Sequence, residues 1–132
     1  MRILIYFLLF SIGACTTSKN AINNNIETIA FGNGGGFTGI VTTYSLSADG
    51  QMNKVDGNKN NPIKKVDKKT VKELFEKASE LKSYQFNVPE NVYSFLEIQT
   101  KENKQNIIWG LGSTKIDNRV TQLYIALTAL TK

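Results

Sequence analysis

The chain has 132 residues, one cysteine, no histidine and a formal net charge of +5. Without histidine there is no Ser–His or Cys–His catalytic pair and no imidazole metal ligand, and a single cysteine excludes an internal disulfide. The mild basicity reads as a surplus of surface lysine, and no nucleic-acid binding is expected from it.

The chain opens MRILIYFLLFSIGAC. Arg2 supplies a short positive region, Ile3 to Phe10 is an unbroken apolar run, and small or apolar residues lead to Cys15. This pattern predicts a secretory signal peptide over residues 1–14. The run is shorter than the roughly 20 residues that a membrane-spanning helix needs. Ile12-Gly13-Ala14-Cys15 resembles a bacterial lipobox, in which the cysteine carries lipid. Each buried methylene of such a lipid adds about 0.8 kcal/mol, and two or more chains give stable anchoring. The expected location is the bacterial cell envelope, on the outer membrane, held there by lipid on Cys15. Removal of residues 1–14 takes away Arg2 and lowers the formal charge from +5 to +4.

Residues 15–26 read as a flexible tether, polar and rich in asparagine. Residues 27–132 read as a single domain of α+β class. Glu27 to Phe31 is apolar enough for a first strand. The stretch from Ile40 to Leu46 alternates, with Ile40, Thr42, Tyr44 and Leu46 on one face and Val41, Thr43 and Ser45 on the other, a strand pattern. Ala48-Asp49-Gly50 is a hairpin signal, and Gln51 to Val55 returns antiparallel. Asp56 to Pro62 reads as a polar loop.

A helix follows, capped by Asp67 or Thr70. Thr70 and Glu73 have capping-box spacing, and Val71, Leu74, Phe75, Ala78 and Leu81 form its apolar stripe. Val92 to Thr100 and the stretch from Gln105 pair as strands across the turn Lys101 to Lys104. A second helix closes the chain, capped by Asp117 or Asn118, with Val120, Leu123, Tyr124, Leu127 and Leu130 as its stripe. Two amphipathic helices need one apolar surface to cover. The expected fold is two-layered: an antiparallel sheet of four to five strands with both helices on one face, in the order strand, hairpin, helix, hairpin, helix.

No residue set supports catalysis, and no enzyme activity, metal or cofactor is expected. Glu73, Glu76 and Glu80 lie among lysines on a solvated helix face. Asp49, Asp56 and Asp117 read as turn or cap residues.

The feature left over is FGNGGGFTGI, Phe31 to Ile40, with five of the chain's ten glycines between Gly32 and Gly39. Gly34, Gly36 and Gly39 match G-x-G-x-x-G. A dinucleotide loop opens a helix, however, whereas this one opens the β-branched run Ile40 to Leu46. Two readings stay open. The glycines shape a tight connection or a bulge at a sheet edge. Alternatively, Gly34, Gly35, Gly36, Phe37, Thr38 and Gly39 form a partner-binding loop, with Phe37 as its apolar anchor. A buried Phe37 would be a core plug, and an exposed one an anchor.

The order GGGFTG, strand, charged helix ending in LKSYQFNVPE, VYSFLEI strand, return strand and leucine-rich helix resembles the emfourin family, small bacterial proteins proposed to inhibit thermolysin-like metalloproteases. Gly35, Gly36, Phe37 and Gly39 match its Gly-Gly-Phe-x-Gly. Tyr84, Phe86, Val88 and Pro89 match its aromatic helix end, and Tyr93 and Phe95 its aromatic strand. The lipobox and the longer polar stretch from Asp56 to Lys65 depart from the family pattern. The chain is equally similar to small Bacteroidetes lipoproteins with a GGGFTG start. The resemblance implies a protein partner, a metalloprotease. The competing expectation is a structural envelope lipoprotein, with the contact made by a sheet edge or the Trp109 region.

Overall fold

The computed structural model describes residues 25–132. The expected signal peptide, Cys15 and all of the tether before Asn25 lie outside the described residues. The elements are β1 (Ile26–Gly35), β2 (Thr42–Ser47), β3 (Gln51–Asp56), β4 (Lys59–Lys65), α1 (Lys68–Ser79), β5 (Phe86–Val88), β6 (Val92–Thr100), β7 (Lys104–Gly110) and α2 (Asn118–Ala129).

The α+β class holds, but the sheet is larger than expected and mixed. Its seven strands run in the order β4-β3-β2-β1-β6-β7-β5. All neighbours are antiparallel except β5, which lies parallel to β7. Both additional strands are edges. Asp56 to Pro62 is a tight turn followed by β4, paired with β3 from Asp56↔Lys59 to Gln51↔Lys65. Every residue of β4 is exposed, so no apolar alternation marks it in the sequence. It carries three lysines, and Pro62 sits beside a register shift, as an unpaired edge requires.

One face of the sheet holds the core. Ile29, Phe31, Leu46, Met52, Leu96, Ile98, Ile107 and Trp109 pack there against Val71, Leu74, Phe75, Ala78 and Leu81 from the first helical segment and Val120, Leu123 and Leu127 from the second. Both helices therefore lie on that face, and both expected stripes point to the core, with Tyr124 and Leu130 partly buried at its margin. α1 starts over the β2–β3 turn, where Val66 N–H donates to the Gly50 carbonyl at 2.8 Å. Its C-terminal extension ends over β7, where the Gln105 amide donates to the carbonyls of Leu81 and Tyr84. α2 returns across the sheet, with Tyr124 edge-on to Phe31 and Trp109.

The caps resolve between the alternatives. Asp67 caps α1, accepting from the Thr70 N–H at 3.0 Å and the Thr70 hydroxyl at 2.7 Å, so Thr70 lies inside the helix. Asp117 caps α2, accepting from the Arg119 N–H at 2.8 Å. The Arg119 guanidinium also donates to that carboxylate, and together these bonds hold it at about 2.

Candidate functional site

The glycine run is divided between two roles. β1 extends past Phe31 to Gly35, so Gly32 to Gly35 are strand residues and only residues 36–41 form the loop. Gly32 pairs with Thr43 and Phe95, and Gly34 pairs with Tyr93. A side chain at Gly32 would run into the Thr42 carbonyl oxygen and stand 3.0 Å from the Phe95 ring. One at Gly34 would stand 2.7 Å from the Tyr93 hydroxyl. The two aromatic rings lie across the two glycines on the face of the sheet opposite the helices, filling the space that side chains would take. Gly32 and Gly34 are thus neither the tight connection nor the edge bulge expected of them; they lie in a central strand and allow close cross-strand packing.

Gly35, the last residue of β1, and Gly36, the first of the loop, have φ values of +90° and +74° that turn the chain out of the sheet. The Gly36 N–H donates to the Asn91 carbonyl at 2.7 Å and fastens the loop to the start of β6. Phe37 then projects fully into solvent, at 108 % of its reference exposure. It is not a core plug. Thr38 and Gly39 are exposed beside it.

Ile40 is not on the core face of β2 either. The strand starts at Thr42, because the chain leaving Gly35 needs residues 36–41 to reverse, and Ile40 is 68 % exposed in that loop. Val41 is exposed next to it.

Two further loops reach the same end of the sheet. β5 ends at Val88 opposite Trp109, β6 starts at Val92 opposite Gly35, and β7 ends at Gly110 opposite Tyr93. The Leu111 N–H donates to the Val92 carbonyl at 3.0 Å. Val88, Val92 and Leu111 are all exposed. Among the described residues, the large exposed apolar side chains are Phe37, Ile40, Val41, Val88, Val92 and Leu111 at this one pole, with only Ile63 and Ile125 elsewhere. Exposed apolar residues are usually scattered singly, so this concentration makes the pole the candidate site.

Sequence reasoning singled out only the first of the three loops. A signal existed at Leu111, which lies between Gly110 and Gly112 much as Phe37 lies between Gly36 and Gly39. Nothing in the sequence places Val88 beside either. Trp109, by contrast, is buried under Tyr124 and offers no contact surface. No family model matches the chain, and no curated protein matches it.

Proposed function

We propose that this chain is a lipid-anchored binding module of the bacterial cell envelope that inhibits a thermolysin-like metalloprotease. The observation that carries the binding role is Phe37, a fully exposed aromatic on a glycine-flanked loop at the apolar pole. Burying a side chain of that size is worth roughly 1.5–3 kcal/mol, and aromatic anchors of this kind dominate protein interfaces. The choice of a metalloprotease rests on the emfourin resemblance, and the anchor rests on the lipobox at Cys15. The structural-lipoprotein reading draws on Gly32 and Gly34, which serve the sheet alone.

The deciding experiment is inhibition of thermolysin by the detergent-solubilised lipoprotein. Wild type is expected to inhibit. Phe37→Ala is expected to melt at the wild-type temperature and to lose inhibition about 30-fold or more, the effect of removing a hot-spot residue. An inactive wild type removes the inhibitor reading, and an unimpaired Phe37→Ala removes the anchor.

The membrane attachment has its own test. Cys15→Ser is expected to shift the protein out of the membrane fraction or leave residues 1–14 uncleaved. A variant that stays processed and membrane-bound overturns the lipoprotein reading.

A further inference from the structure

At the apolar pole, Glu90 lies in the connection between β5 and β6, next to Val88 and Val92. Its side chain packs over Gly110, so closely that a Cβ at that position would stand 2.5 Å from a carboxylate oxygen. Gly110 thus makes room for the exposed Glu90 side chain, which lies over it. Among the described residues the ion pairs are Lys65–Asp49, Lys72–Glu76, Lys104–Glu97 and Arg119–Asp117, and none engages Glu90. The pole is therefore an apolar projection from three loops with one carboxylate in it that no ion pair engages. The loops are tied to each other by the Gly36–Asn91 and Leu111–Val92 backbone bonds, which lowers the ordering cost of docking.

We infer that the three loops dock as one surface into an apolar cleft of a protein partner that presents a basic side chain to Glu90. This rests on the reading of the pole as the binding surface, and it extends the contact from the glycine loop to Val88, Glu90 and Leu111. A lipid surface is the other occupant that apolar loops could take, and the Glu90 carboxylate stands against it. Inserting a carboxylate into hydrocarbon is costly, whereas a protein can pair it.

The test uses the full lipoprotein in its own envelope, with a benzophenone amino acid placed in turn at Phe37, Val88, Leu111 and, as a control on exposed α2, Ile125. Photolysis is expected to join the same protein to the first three positions and not to Ile125. Glu90→Arg is expected to lower the yield from the Phe37 position about tenfold or more, since it sets like charges together. Cross-linking from Phe37 alone, equal cross-linking from Ile125, lipid adducts, no adduct at all, or indifference to Glu90→Arg each overturns the proposal. Three-loop cross-linking without thermolysin inhibition removes the inhibitor reading and leaves this surface standing. Inhibition with cross-linking from Phe37 alone does the reverse.

Discussion

Gly32→Val is expected to destabilise the domain severely, although it replaces the smallest residue of a flexible-looking run with a good strand former. Gly32 sits between β2 and β6 in the middle of the sheet. Its missing side chain leaves room for the Thr42 carbonyl on one side and the Phe95 ring on the other. The ring can move, but the carbonyl belongs to a paired strand and can yield only by breaking the ladder. Overpacking a well-filled site typically costs about 1–3 kcal/mol, and more where backbone must shift. A domain of this size has about 5–15 kcal/mol in total. Gly39→Ala is the matched control. Gly39 has φ +63° but open space around it, so the expected cost is the left-handed backbone penalty alone, about 1–2 kcal/mol. Thermal melts of the two variants separate the roles within one glycine run. If Gly32→Val melts near Gly39→Ala, the close-packing account of β1 is wrong.

Leu123→Ala is expected to remove about 2–5 kcal/mol, the usual cost of truncating a fully buried leucine. At roughly 4–8 °C per kcal/mol for a domain near 100 residues, the midpoint falls by ~10 °C or more. Leu123 has no exposed surface and sits in the layer where α2 meets α1 and β1. Ile125, two residues along the same helix, is 66 % exposed, and Ile125→Ala is expected to leave the midpoint nearly unchanged. Leu74→Ala and Glu76→Ala on α1 make the same contrast. Equal midpoints within either pair would place the helices on the wrong faces.

These two results bear on the proposed function because they separate the parts of the molecule that hold it together from the exposed pole proposed to bind. Phe37, Val88 and Leu111 contribute little to the core, so substitutions there report on docking without the confusion of unfolding.

The amphipathic stripes of both helices, the Ala48–Gly50 turn and the Lys101–Lys104 turn could be read from residues alone. Each depends on neighbours within a few positions: helical spacing of leucines, an Asp-Gly pair, a polar break between β-branched runs. The two-layer α+β class follows, since two one-sided helices and alternating strands must share an apolar interface. Other features depended on partners distant in sequence. Gly32 and Gly34 look like loop residues because glycine weakens isolated strands. They are strand residues because Phe95 and Tyr93, some 60 positions on, cover them. β4 buries no side chain and is held by backbone pairing to β3, and β5 is three residues held parallel to β7. Backbone hydrogen bonding leaves no periodic trace in a sequence, so neither edge strand was legible. The gathering of Phe37, Val88 and Leu111 at one pole was decided by strand register alone, because register brings the ends of β1, β5, β6 and β7 together whatever side chains follow them.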